Sequence, residues 1–554
     1  MRGVYCLLLS LLLACNVSAA SLPPQAAVAA AHPVATAAGF EILSAGGNAF
    51  DAAVAVSATL AVVEPYSSGI GGGGFWLLHR AADGKQVMID GRETAPSAAR
   101  RNMYQDSEGN VIPGLSVDGA LAAGIPGEPA ALVHMAKNYG QLPLSRSLAP
   151  AIRAARNGFE VTPHYRRMAQ FRLKALQASP AAAAVFLLNN EVPPLGHRIK
   201  QPDLASTLQA LGQQGRAGFY SGVVAKGLIH GVKAAGGIWS LGDLKRYAVV
   251  ERAPIVGTYR GYRIVSAPPP SSGGVALVTM LNILERYRLD HMTPLQRQQI
   301  MVETMRRAYR DRAHYLGDPD FVSVPVRQLT DKAYAAELQR SINLRRATPS
   351  KSLGRVADTS AGNHTTHFSI LDKAGNRVAA TLSINYPFGS GFMPPGTGVL
   401  LNDEMDDFSA KPGVPNVYGL VGAEANAIAA GKRMLSSMSP TFVETEQGVA
   451  ILGTPGGSRI ITMVLHGILG YAAGMDARAI VNLPRYHHQY LPDVIFYEAG
   501  AISDEQARHL QTMGHELKLL QQPYGNMQMV IWNRQTNRVT SASDPRGEGQ
   551  AGVH

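Results

Sequence analysis

The stretch Asn363-His364-Thr365-Thr366-His367-Phe368 carries a polar connection straight into a hydroxyl residue that opens an apolar, period-two pattern. A threonine hydroxyl is a poor nucleophile at its own pKa, and threonines are common at strand starts, so these residues alone favour an ordinary strand. A break in the chain before Thr365 would change that. The freed α-amine would sit close enough to take the proton from its own hydroxyl, directly or through water, and the residue would become a nucleophile toward amide carbonyls.

Three other groupings invite chemistry and are read as structural. Gly71–Gly74 is followed by Phe75-Trp76 and lacks the Lys-Ser or Lys-Thr of a phosphate cradle. His487 and His488 are adjacent, so on a strand they point to opposite faces, and no acidic or histidine partner stands at ligand spacing. Arg306, Arg307, Arg310 and Arg312 alternate with Tyr309, Asp311 and Tyr315 in a helical pattern, which reads as a solvated, partly paired helix face. With no basic stripe interleaved with stacking aromatics, the net charge of +11 does not argue for a nucleic-acid groove. Nothing calls for a metal, nucleotide or flavin.

The elements that must position such a threonine can be read from periodicity. Ala31 to about Ser57 reads as two helices around a turn at Gly46-Gly47-Asn48, with Asn48 and Asp51 as ordinary helix-start residues. Leu77 to Ile89, with a turn at Gly91-Arg92, reads as strand, turn, strand. Residues 116 to 320 read as largely helical, with Val275–Tyr287 and Gln298–Tyr315 showing three- and four-residue apolar spacing. After a polar connection at about 345 to 364 the period changes. Phe368–Asp372 and Arg377–Ile384 read as strands joined by a Lys373–Asn376 hairpin turn, followed by strands at Thr441–Glu444, Val449–Gly453 and Met527–Asn533 and a helix over Ile460–Gly470. Strands layered with helices describe an α+β architecture. The length of 554 residues would by itself suggest two to four domains, and a composition 46% hydrophobic and 16% charged argues against disorder.

Arg2, an apolar run from Val4 to Ala14 and small residues through Ala20 describe a secretory signal over residues 1–20, too short to span a bilayer. Both cysteines, Cys6 and Cys15, fall inside it, so the mature chain would have no disulfide or thiolate. Leu12-Leu13-Ala14-Cys15 offers the competing reading of an outer-membrane lipoprotein acylated at Cys15. The expected place is the periplasm.

Along nearly all of this mature length the chain resembles the γ-glutamyltranspeptidase family. The matching stretches are Ala45–Asp51, Gly69–Gly74, Gly91-Arg-Glu-Thr-Ala-Pro96, Gly124-Ile-Pro-Gly127, Thr365–Ser369, Gly398–Ser409, Leu435–Pro440 and Thr454–Ser458, in the family's order. The resemblance implies a four-layer αββα sandwich of the N-terminal-nucleophile type. A large fragment, 21–364, and a small fragment, 365–554, would arise by self-cleavage between His364 and Thr365 and remain one intertwined unit. Thr365 would be the nucleophile, with the backbone amides of Gly456 and Gly457 as the oxyanion hole. A γ-glutamyl group carries an α-carboxylate and an α-ammonium. Arg92 would grip the carboxylate with a bidentate fork, aided by Ser436 and Ser437, and Asn385, Glu404 and Asp407 would accept from the ammonium. Ser383 stands where the family usually has a second threonine bonding the nucleophile, and lacks the methyl that restricts χ1.

Lys411–Gly419 resembles a covering loop with Tyr418 as the closing side chain; a static surface loop is the alternative. The implied activity is γ-glutamyl hydrolysis and transfer, with glutathione-like donors, amino-acid or peptide acceptors and no cofactor. A glutaryl-cleaving cephalosporin acylase on the same scaffold, and an exported γ-glutamyl-peptide binder without turnover, are the competing functions.

Overall fold

A computed structural model describes residues 22–354 and 365–554. The signal region, Cys6, Cys15 and His364 lie outside the described residues.

Two antiparallel sheets form the centre. The first runs in the spatial order Gln550–Val553, Ala27–Ala30, Thr366–Leu371, Arg377–Ser383, Gly73–Arg80, Lys85–Gly91, Val250–Arg252. The second runs Arg538–Ser543, Gln528–Asn533, Gly448–Gly453, Thr441–Thr445, Tyr262–Ser266, Ile255–Tyr259. Each sheet contains strands from both sides of residue 364. Within the first sheet, successive side chains point to opposite faces, and both faces are covered. Val28, Ala30, Trp76, Leu78, Phe368 and Ile370 join one core with the helices of the N-terminal half. Ala27, Ala29, Phe75, Leu77 and Leu371 join the core shared with the second sheet and its helices. Helices outside, two sheets inside: this is the αββα sandwich.

The expected helix pair is present as Pro33–Ser44 and Ala49–Val63. Asn48 and Asp51 form a reciprocal capping box, and Asp51 also accepts from the Gln141 and Leu142 amides. Residues 116 to 320 are largely helical, with the short strands Phe159–Glu160, Arg198–Ile199 and Val250–Arg252 and one hairpin that the periodicity did not show. The hairpin Ile255–Tyr259 and Tyr262–Ser266 turns at Arg260-Gly261, both at positive φ, and supplies the edge of the second sheet.

One reading is overturned. The helix Pro294–Tyr315, started by a Thr293–Gln296 capping box, is not a solvated face, because Arg306, Arg307 and Arg312 are all buried. Glu303 lies between Arg306 and Arg307, with Arg307 Nη1 2.6 Å from its carboxylate. Arg306 also pairs with Asp493, and Arg307 donates to Ser341. The segments around 341–350 and 488–493 pack over this face, and Arg306, Arg307 and Arg310 are each paired with an acid.

Candidate active site

Thr365 immediately precedes the strand Thr366–Leu371, near the middle of the first sheet, and is buried. It lines two cavities at once. An inner one of about 20 Å³ is bounded by Arg92, Ser383, Asn385, Glu404, Asp407, Tyr418, Ser436, Ser437 and Gly457. An outer one of about 450 Å³ is bounded by Glu64, Tyr66, Gly456, Tyr524 and Glu548 among others. Every described residue expected at the site therefore falls around Thr365.

The glycine-rich motifs explain how segments so far apart in sequence converge. A Cβ on Gly71 would come 2.0 Å from the Leu400 carbonyl, and one on Gly72 2.2 Å from the Ser383 carbonyl. Glycine is required there because backbone lies against backbone. Asn402 then ties the motifs together. Its Nδ2 donates to the Gly71 and Gly124 carbonyls at 2.7 and 2.9 Å, and its Oδ1 accepts from the Gly124 and Glu404 amides. The tight turn Glu404–Asp407 is thus fixed over the strand ends that carry Ser383 and Arg92.

Arg92 does not present an open fork. Its Nη1 lies 2.6 Å from Glu404 and its Nη2 2.5 Å from Asp407, while Nε donates to the Met434 carbonyl. The guanidinium expected to grip a ligand carboxylate is held in place between the two acids expected to face the ammonium. The physical reason is burial. Arg92 is 0% exposed, and an uncompensated cation there would be far costlier than an internal pair. Glu93, also fully buried, stands 3.9 Å from Arg92. Desolvation and the neighbouring Glu404 push its carboxyl well above the ordinary range. Burial likewise pushes Glu404 up to about 7, against the opposing pull of Arg92 and the Ser383 hydroxyl.

The serine pair is arranged to donate. Ser436 Oγ accepts from the Met438 amide at 3.1 Å, and Ser437 Oγ accepts from Arg312 at 3.2 Å. A hydroxyl whose oxygen already accepts can direct its proton outward, to an anion. Asn385 is arranged the opposite way. Its Nδ2 donates to the Asp403 carbonyl at 3.1 Å, which leaves Oδ1 as an acceptor, and its backbone sits at φ 72°. Ser383 Oγ accepts from the Asn385 amide at 2.7 Å. Gly456 and Gly457 have positive φ and open the helical run continued by Ile460–Ala472, where the first amides have no intrahelical acceptor. Tyr418 is buried, its hydroxyl donating to the Asn385 carbonyl at 2.6 Å, and Asn416 of the same loop donates to Asp407 at 3.0 Å. Asp406, pushed up to about 6 by burial, anchors that loop by accepting from the Val417 amide.

Periodicity missed Glu93, Asp403, Asp406, Ser272 and Arg312. Asp403 and Asp406 were legible only as part of an acidic turn and Glu93 only as the neighbour of Arg92, and Ser272 and Arg312 lie in segments that look unrelated to the site. His487 and His488 are buried and bonded to Thr462, Gln489 and Asp493.

A family model for gamma-glutamyltranspeptidase matches residues 35–554. The chain belongs to the gamma-glutamyltranspeptidase family. A glutathione hydrolase proenzyme of Pseudomonas sp. (strain A14) is 43% identical over 549 residues, 96% of this chain and 95% of the relative. Among solved structures, a cephalosporin acylase from Bacillus halodurans superposes with a TM-score of 0.83 at 27% identity, covering 95% of each chain. A Helicobacter pylori gamma-glutamyltranspeptidase is 40% identical with a TM-score of 0.57, over 62% of this chain and 98% of that one. The γ-glutamyltranspeptidase scaffold thus carries at least two substrate classes, and the side chains around Thr365 must decide between them.

Proposed function

We propose that this γ-glutamyltranspeptidase family member is an exported, self-cleaving enzyme that removes γ-glutamyl groups from glutathione-like amides and passes them to water, amino acids or short peptides. The observation that carries the reading is the inner cavity, which sets hydrogen-bond donors for a carboxylate (Ser436, Ser437 and Arg92) against acceptors for an ammonium (Asn385, Glu404 and Asp407), all beside Thr365. A glutaryl group keeps the terminal carboxylate but lacks the ammonium, and would leave the buried acceptors Asn385, Glu404 and Asp407 without that partner.

In the first step Thr365 Oγ attacks the carbonyl of His364, and the peptide becomes an ester that water opens. This leaves fragments 21–364 and 365–554 and a free α-amine on Thr365. The amine then takes the Oγ proton as the hydroxyl attacks the γ-carbonyl of the donor, while the Gly456 and Gly457 amides hold the oxyanion. The proton returns to the leaving amine, the γ-glutamyl ester forms on Thr365, and water or an acceptor amine releases it through the same oxyanion. Ser383 holds the nucleophile's side of the pocket, and Tyr418 closes it. Export rests on the signal-like residues 1–20; none of the described helices is long and apolar enough to cross a membrane.

Two assays test this. The purified chain should hydrolyse γ-glutamyl-p-nitroanilide with kcat/KM at least about 100-fold above that for glutaryl-p-nitroanilide; a glutaryl preference would make the acylase the right reading, and binding without turnover the exported binder. The pH profile is a second check. Glu404 keeps its proton up to about 7, so its negative charge is present above that pH and lost as pH falls through it. Donor kcat/KM should therefore fall on the acid side of about 7, and Glu404→Gln should remove that limb. A profile flat from 8 to 6 contradicts the assignment.

A further inference from the structure

The outer cavity borders Thr365 and Gly456 and measures about 450 Å³. That is within the roughly 300–1,000 Å³ of small-molecule sites. Met168, Pro455 and Pro523 give it apolar wall, and its charges are unevenly matched. Glu64 and Glu548 both line it, and neither forms an ion pair with a described residue. Glu64 is 4% exposed, and its Oε2 accepts from Thr366 Oγ1 at 2.6 Å, which fixes the carboxylate beside the residue next to the nucleophile. Glu548 Oε2 is buried and accepts no hydrogen bond from the described residues.

The cations of the same wall do not answer these acids. Arg546 is already paired with Glu498 at 2.8 Å and Asp544 at 3.0 Å. His164 is pushed down to about 4 by burial and is neutral above that pH. Arg167 is exposed and donates to His164 Nδ1 at 2.7 Å. Tyr524, 5% exposed, lines the cavity with a hydroxyl that has no partner among the described residues. Two carboxylates facing one cavity without a counter-ion repel each other, and a cation entering that cavity relieves both.

We propose that the outer cavity is an acceptor site selective for amino acids and short peptides with a cationic side chain, whose charge Glu548 and Glu64 take while the α-amine faces the Thr365 ester. The inference rests on the γ-glutamyl reading and names its acceptor class. In the transfer step the neutral α-amine nitrogen bonds to the γ-carbonyl carbon, and the bond from that carbon to Thr365 Oγ breaks. The proton shed by the amine returns to Oγ through the α-amine of Thr365. Burial, with the charge of Glu548 adding to it, pushes Glu64 up to about 7. Glu64 is therefore charged at the alkaline pH where more of an acceptor's α-amine is free to attack and an arginine side chain is still a cation.

The test measures transfer from γ-glutamyl-p-nitroanilide to L-arginine and to L-citrulline, a neutral acceptor of nearly the same shape, by quantifying the two γ-glutamyl products. Wild-type protein should use arginine with kcat/KM at least about tenfold above citrulline, and Glu548→Gln should shrink that ratio about fivefold. Glu548→Lys should carry the preference past citrulline to L-glutamate. A structural role alone would lower both acceptors equally, and that result would overturn the inference. Should Glu548→Lys not accumulate as folded protein, Glu548→Gln and Glu64→Gln read the same ratio, and a ratio unchanged in both would also overturn it. Absence of wild-type p-nitroaniline release would remove the γ-glutamyl reading and the inference with it; release with equal use of arginine and citrulline would remove the inference alone.

Discussion

Thr365→Ala should remain a single uncut chain and lose at least about 10⁴-fold in γ-glutamyl hydrolysis. Both effects follow from one atom. The Oγ of Thr365 would open the preceding peptide bond and later carry the γ-glutamyl ester, and alanine can do neither. The surrounding structure should tolerate the change, because the strand Thr366–Leu371 takes its place in the sheet through its backbone and through Phe368 and Ile370. Denaturing electrophoresis reads the cut, and the anilide assay reads the chemistry. Thr365→Ser separates them further. It keeps the hydroxyl, loses the methyl that restricts χ1, and should cut and turn over more slowly. A Thr365→Ala protein that still separates into two fragments, or retains wild-type turnover, would place the nucleophile elsewhere.

Arg92→Lys should raise the donor KM by about 30-fold or more and destabilise the protein by about 3 kcal/mol. The structure changes the expected cause. Arginine here spans two carboxylates, Glu404 at 2.6 Å and Asp407 at 2.5 Å, from two nitrogens of one plane. A single ammonium cannot hold both in the same geometry, so one acid is left buried and unmatched. The ammonium acceptors then lose their placement, and the Met434 carbonyl loses its donor. Thermal unfolding measured with the kinetics distinguishes this from a simple lost contact with substrate. A variant with wild-type KM and stability would mean that the Arg92 cluster lies outside the binding site.

Much of the fold was legible in the sequence from element-length apolar runs bounded by turn residues, although Arg377–Ser383 and Ala49–Val63 are buried throughout. The alternating strands Arg377–Ser383 and Gln528–Asn533 and the helices Ala49–Val63 and Ile460–Ala472 were all expected within a few residues. Ala27–Ala30 was not. Four small apolar residues prefer a helix locally, and they form a strand because edges on both sides, Gln550–Val553 and Thr366–Leu371, supply backbone partners. The Arg306–Arg312 face failed for a related reason. Periodicity shows which residues share a face, but not whether another segment covers it, and here the segments near Ser341 and Asp493 do.

The site residues were legible through motif resemblance, and the structure brings Arg92, Ser383, Asn385, Glu404, Asp407, Ser436, Ser437 and Gly457 to one cavity with Thr365. Their mutual pairing was not legible. The resemblance assigns Arg92 to a ligand's carboxylate and the two acids to its ammonium, and does not show that the three are also bonded to one another. Burial forces this, since each would otherwise be an isolated charge in a low-dielectric interior. Asn402 was equally hidden, because an asparagine that knots three loops looks in sequence like any turn residue.

N-terminal sequencing of the purified, fully active protein probes the central claim most directly. Two amino termini are expected in equal amount, one of them beginning Thr365-Thr366-His367-Phe368. An active preparation that is entirely uncut, or one whose small fragment starts at any other residue, would contradict the assignment of Thr365 as an amine-bearing nucleophile.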